Sequence, residues 1–166
     1  MSLAKVLCLA VLSATLLIAG CAAPRLSAMP GAASWHGRLA VRVDPGPAPS
    51  QALSYAAGFD LVGNLQEGEL MLYTPLGTTL AALSWSARTA VLRNAEGSQS
   101  FESLDALIKK ALGTEVPLEA LFAWLAGDTM SAAGWSADLS GYAKGSILAR
   151  RSQPKPAAEI RLLLEK

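Results

Sequence analysis

The sequence predicts a mainly β domain with helices inserted into it, and three observations carry that reading. Apolar and polar residues alternate from Trp35 to Val43 and in several later segments, which is the period of a strand with one buried face. From Phe101 to Leu112 the apolar spacing lengthens to three and four residues, and a second such stripe follows Pro117, as helices require. After Gly127 the strand pattern returns. Strands, a helical pair and strands again describe an antiparallel sheet with inserted helices. Sandwich, barrel and half-barrel all remain open on composition alone.

The first residues, Met1-Ser2-Leu3-Ala4-Lys5, are followed by an uncharged run from Val6 to Ala19, 14 residues long. One charge before a short apolar core is the layout of a secretory signal, and the run falls short of the ~20 residues a membrane-spanning helix needs. It ends in Ile18-Ala19-Gly20-Cys21, which resembles the lipobox of bacterial lipoproteins. Small residues there give a peptidase access to the Gly20–Cys21 bond, and the thiol of Cys21 receives lipid. Residues 1–20 are therefore expected to be a lipoprotein signal peptide and 21–34 a lipidated, flexible tether. Residues 22–34 are small, Pro/Gly-punctuated and without hydrophobic period; thirteen residues reach at most ~45 Å. Residues 35–166 are expected to form the β domain, a length that suits one domain.

In the first strand Trp35, Gly37, Leu39, Val41 and Val43 face one way, and His36, Arg38, Ala40 and Arg42 the other. Residues 44–50 end it. Further strands are expected within 52–62, at 67–74, 78–86 and 89–93, with 98–101 expected to pair back and turns at Gly63-Asn64, Pro75-Leu76-Gly77 and 94–97. The first helix has Ser103 to cap its start and Gly113 to close it. The second starts near Pro117, which suits a first helical position, and closes at Gly127. The last strands are expected at 135–140, 146–151 and 160–164.

Several function classes find no support. The chain has one histidine and two cysteines, Cys8 in the signal and Cys21 at the lipobox, so neither a His-rich metal site nor a thiol nucleophile is expected. The core must hold without disulfides. Loss of Lys5 leaves 13 basic and 13 acidic residues, giving no basic face for nucleic acid. No phosphate loop or nucleophile elbow occurs. The expectation is no enzyme and no cofactor.

Three segments then stand out together, in order, behind the lipobox: Gly37-Arg38-Leu39-Ala40-Val41, Tyr73-Thr74-Pro75-Leu76-Gly77-Thr78-Thr79-Leu80, and Val116-Pro117-Leu118-Glu119-Ala120-Leu121-Phe122-Ala123-Trp124-Leu125-Ala126-Gly127. They resemble the LolB family of outer-membrane lipoprotein receptors. The resemblance covers most of residues 35–135. Phe59-Asp60-Leu61 stands where many relatives carry Phe-x-Trp. The resemblance implies an incomplete, half-open antiparallel β-barrel with a helical lid over an apolar cavity. It implies a lipid-anchored outer-membrane protein facing the periplasm, a monomer, that accepts lipoproteins by their acyl chains from the soluble periplasmic carrier LolA. It then inserts them into the inner leaflet of the outer membrane.

Candidate cavity residues are Leu39, Val41, Leu70, Leu72, Leu80, Leu83, Leu107, Leu121 and Trp124, since acyl chains need a dry apolar pocket. Thr74-Pro75-Leu76-Gly77 fits a type I turn with Pro75 and Gly77 in their favoured places, which leaves Leu76 at the hairpin tip, where the matching leucine of the family helps insert lipoproteins into the membrane. The rival reading is a structural or envelope-assembly lipoprotein whose β domain binds a protein and has a solid core. A cavity of roughly 300–1,000 Å³ separates the two.

Overall fold

The structure, a computed structural model, describes residues 29, 31–46 and 51–165. The expected signal, Cys21 and most of the expected tether lie outside the described residues. Nine strands form one antiparallel sheet: β1 (Ser34–Val43), β2 (Leu53–Gly63), β3 (Gly68–Tyr73), β4 (Thr79–Ser86), β5 (Thr89–Asn94), β6 (Gly97–Phe101), β7 (Trp135–Asp138), β8 (Ser146–Arg151) and β9 (Ala158–Leu164). The order across the sheet is β6-β5-β4-β3-β2-β1-β9-β8-β7. The end strands β6 and β7 do not pair, so the sheet is not closed. Two helices, α1 (Leu104–Leu112) and α2 (Leu118–Ala126), lie between β6 and β7 in the chain.

Alternation sets the inward face. In β1 the buried positions are Leu39, Val41 and Val43; in β9 they are Ala158, Ile160 and Leu162. These pair across the two strands, Leu39 with Leu162 and Val41 with Ile160. One cluster runs from Ala90 and Leu92 of β5 through the helices to Trp135 of β7. Nine strands laid flat would span about 38 Å, whereas a nine-residue helix is only about 13 Å long. Two such helices can share one core with both ends of the sheet only if the sheet curls around them. That supports the half-open barrel over the sandwich.

Helix boundaries follow local chemistry. The Ser103 hydroxyl accepts from the Ala106 amide at 3.1 Å, and Gly113 and Gly127 close the two helices. Two expectations shift. Phe101, read as the first apolar residue of the helix, ends β6 instead, because the turn at 95–96 lets Gly97–Phe101 pair with β5. Pro117 occupies the cap and not the first turn, with extended backbone at φ −68°, ψ 111°.

Side-chain donors tie the irregular segments together. All four indole N–H groups bond main-chain carbonyls: Trp35 to Leu125 (2.9 Å), Trp85 to Asn64 (2.8 Å), Trp124 to Met130 (2.8 Å) and Trp135 to Glu115 (3.0 Å). Tyr142 donates to the same Leu125 oxygen at 2.9 Å, and Tyr55 donates to Ala111 at 3.1 Å. The terminal carbonyls that a helix leaves unpaired are thereby satisfied from the sheet and its loops. Burial raises the Tyr55 pKa, so it stays a donor at any physiological pH.

Gly37 is required by a close approach. Its φ is +153°, and a Cβ there would collide with the main-chain oxygen of Leu163. Gly37→Ala is expected to cost about 2 kcal/mol or more, read as a fall in the urea midpoint. A second expectation concerns pH. Hydrogen bonds from Arg161 and Arg150 hold the Glu159 carboxylate below its usual pKa. A depressed folded-state pKa gives stability that is present at neutral pH and lost as pH falls through the acid range. Glu159→Gln should therefore flatten that limb of the stability–pH curve.

Candidate functional site

Two features coincide with the predicted site: an apolar pocket between the sheet and the helices, and the β3–β4 hairpin. The pocket is lined by Leu39 and Val41 of β1, Phe59 and Leu61 of β2, Leu70 of β3, Ile108 and Leu112 of α1, Leu121 and Leu125 of α2, and Ile160 and Leu162 of β9. Every lining residue is apolar, because alternation in the strands and helical periodicity turn these positions inward. Its volume is about 50 Å³. That is far below the roughly 300–1,000 Å³ of ordinary ligand sites.

Of the nine candidate cavity residues, Leu39, Val41, Leu70 and Leu121 line this pocket. Leu72, Leu83, Leu107 and Trp124 are buried in the surrounding core. Leu80 stands apart from both, at 45 % exposure. The pairing explains it: Leu72 faces Ala81 and Tyr73 faces Thr79, so the register skips Leu80 at a bulge. Strand parity also sets Leu80 and Leu83 on opposite faces.

The hairpin has the turn read from the sequence. The Gly77 amide donates to Thr74 O at 2.9 Å, and the Thr74 amide to Thr78 O at 2.8 Å. Gly77 has φ +81°, a left-handed backbone that favours glycine and completes a three-residue hairpin loop. The Thr74 hydroxyl accepts from the Thr78 amide at 3.1 Å. Leu76 at the tip is 94 % exposed, the largest value among the exposed large apolar residues described. At the base of the hairpin, burial and a hydrogen bond with Asp60 push the Tyr73 phenol up to about 12.

One buried group went unread in the sequence. Arg151 is only 7 % exposed. It donates to Glu115 O (3.2 Å), Thr114 Oγ1 (2.9 Å) and Pro156 O (3.0 Å) and lies over the Trp135 ring at 5.4 Å. Its Nε has no partner. The signal was present: Ile147, Ala149 and Arg151 share one face of β8, so period two already placed a cation inward. Among the described residues no group of three or more histidine, cysteine, aspartate or glutamate side chains could hold a metal. No described helix is long and apolar enough to cross a membrane.

Residues 33–159 match the family model described as outer membrane lipoprotein LolB. The outer-membrane lipoprotein LolB of Bordetella petrii is 31 % identical over 173 residues, covering 88 % of this chain and 85 % of the relative. That of Bordetella pertussis is also 31 % identical, covering 89 % and 86 %.

The leucines of the β3–β4 hairpin should separate by stability. Leu76→Glu is expected to change unfolding free energy by no more than about 0.5 kcal/mol. Leu83→Ala, at a site 1 % exposed, should cost about 2–5 kcal/mol. Urea unfolding of both variants checks this.

Proposed function

The chain belongs to the LolB family of outer-membrane lipoproteins, and from that premise we propose that it accepts lipoproteins from a LolA-like periplasmic carrier and inserts them into the inner leaflet of the outer membrane. The exposure of Leu76 carries the insertion half of this reading. A leucine so exposed on a rigid turn loses apolar hydration wherever it meets hydrocarbon, at about 25 cal/mol per Å² buried. Cys21 is the proposed lipid anchor, and residues 22–34 the tether, with the inner face of the outer membrane as the proposed location. Several acyl chains would hold the protein stably where one would not.

The all-apolar pocket supports the acceptance half. Acyl chains would enter by displacing α1 and α2 from the inward face. The helices meet the sheet through side chains and a few hydrogen bonds at their ends, with no ladder to break. An incoming chain would replace the aliphatic contacts they give up, at ~0.8 kcal/mol per buried methylene. Leu39, Val41, Leu70 and Leu121 would touch it first; Leu72, Leu83, Leu107 and Trp124 would form the wall behind. No cofactor is needed, since the transfer exchanges one apolar environment for another.

The small volume of the pocket favours a second reading: an envelope-assembly lipoprotein with a solid core and a protein-binding β domain. A transfer assay decides. Carrier-bound cargo lipoprotein is mixed with the purified protein and vesicles. Cargo should move into the vesicles with the native chain. Leu76→Glu should still take cargo from the carrier but deliver it at least about tenfold more slowly. Absence of transfer by the native chain would establish the solid-core reading, and normal delivery by Leu76→Glu would remove Leu76 from the mechanism.

A further inference from the structure

The charged side chains are segregated along the barrel. Strands β1, β3, β5 and β8 end, and β2, β4, β6 and β9 begin, at the end that carries the Leu76 hairpin. The same end holds Arg42, Arg93, Lys109, Lys110, Arg150, Arg151 and Lys155, against the acids Asp44, Glu96, Glu115 and Glu159. The lysines of α1 belong there because Ala111 O accepts from Tyr55, near the start of β2. The opposite end holds Glu67, Glu69, Glu102, Glu119, Asp128 and Glu165, against Arg88 and Lys144. The other charged groups among the described residues lie between. The hairpin end therefore carries an excess of three positive charges and the far end an excess of four negative ones.

Several of these cations are open to solvent: the side chains of Arg42, Lys109 and Arg150 are 73 %, 62 % and 58 % exposed. Their ion pairs leave a surplus, since Glu159 is shared by Arg150 and Arg161, and Arg42 meets Asp44 only at 3.6 Å. Between these cations the hairpin itself is bare of charge. No aspartate, glutamate, lysine, arginine or histidine occurs from Leu70 to Ala87, and Leu80 adds a second half-exposed leucine beside the tip. An uncharged, leucine-tipped projection set beside exposed cations matches the layers of a lipid leaflet, with phosphates outside and hydrocarbon within.

We propose that the hairpin end is a docking face for an anionic lipid surface, on which Arg42, Lys110, Arg150 and Lys155 meet lipid phosphates while Leu76 and Leu80 enter the acyl region. The acidic far end is repelled by the same surface, so the charge pattern orients the domain hairpin-down. Strand β1 lies two spacings from β3, about 10 Å, a separation comparable with the Debye length of about 8 Å at physiological salt. This inference deepens the insertase reading and rests on it.

Vesicle flotation tests it, with residues 21–166 carrying Cys21→Ala so that no acyl anchor contributes. Phosphatidylethanolamine vesicles with and without phosphatidylglycerol are compared at low and high salt. Phosphatidylglycerol should raise the bound fraction several-fold, and salt should reverse the gain. Arg42→Gln, Lys110→Gln and Lys155→Gln combined should lower binding to anionic vesicles roughly tenfold or more. Glu67→Gln, Glu119→Gln and Asp128→Gln combined should not lower it. Binding that ignores phosphatidylglycerol, no binding to either vesicle, or full binding by the triple cation variant would overturn the inference. So would a triple cation variant that binds vesicles normally but no longer takes cargo from the carrier, which would make the basic end a protein-docking face. Leu76→Glu separates the two levels: normal cargo delivery by it defeats the insertase reading, whereas impaired delivery without phosphatidylglycerol dependence defeats only this inference.

Discussion

An antiparallel sheet that does not close must have its inward face covered by something other than itself, and most of this structure follows from that constraint. Strands β6 and β7 do not meet, so no ladder can seal the interior. Leu107 and Trp124 from α1 and α2 are wholly buried against that face. Helices this short do not hold a position by their own stability. They are held by packing and by indole and phenol donors that reach their last carbonyls from β1, β2 and the Tyr142 turn. The exposed edge strand β6, with the sequence Gly97-Ser98-Gln99-Ser100-Phe101, is short and polar, a composition that discourages pairing with another chain.

The segment between the helices receives the one buried charged side chain among the described residues, Arg151 of β8. Burying the Arg151 guanidinium without a carboxylate partner is unfavourable unless other acceptors take its protons. Two main-chain carbonyls, one threonine hydroxyl and the Trp135 ring do so. Glu115 O receives both the Trp135 indole and the Arg151 guanidinium. One carbonyl thus fixes where the chain passes from α1 to α2, and with it how the two helices sit over the pocket.

The division of labour between interior and surface is physical. The pocket beneath the helices is lined by apolar side chains alone. The charges of residues 21–166 cancel in sum but are polar in arrangement. Composition reports only the sum, and a net charge near zero concealed two opposed ends that the sheet register assembles from distant segments.

Much of the fold is legible in the chain itself. Period two in β1, the capping serine Ser103, the closing glycines Gly113 and Gly127 and the Thr74–Thr78 turn are local chemistry, readable from neighbours in the chain. Leu76 could be placed at a tip for the same reason. All nine strands were expected, and the residues of the first strand were sorted onto their two faces, because alternation is a property of the backbone. The rest depended on partners remote in sequence. Strand parity already sets Leu80 opposite Leu83, and only the bulge against β3, which skips Leu80, depended on pairing. Arg151 became tolerable only where Thr114, Glu115 and Pro156 converge on it. Whether nine strands close, and how much empty space lies beneath two helices, are sums over the whole packed molecule. By itself the sequence determined the elements, their faces and the exposed leucine, since each rests on spacing along the chain. Only the tertiary structure decided the open seam, the near-filled pocket and the charged ends, since each rests on which distant residues the sheet brings side by side.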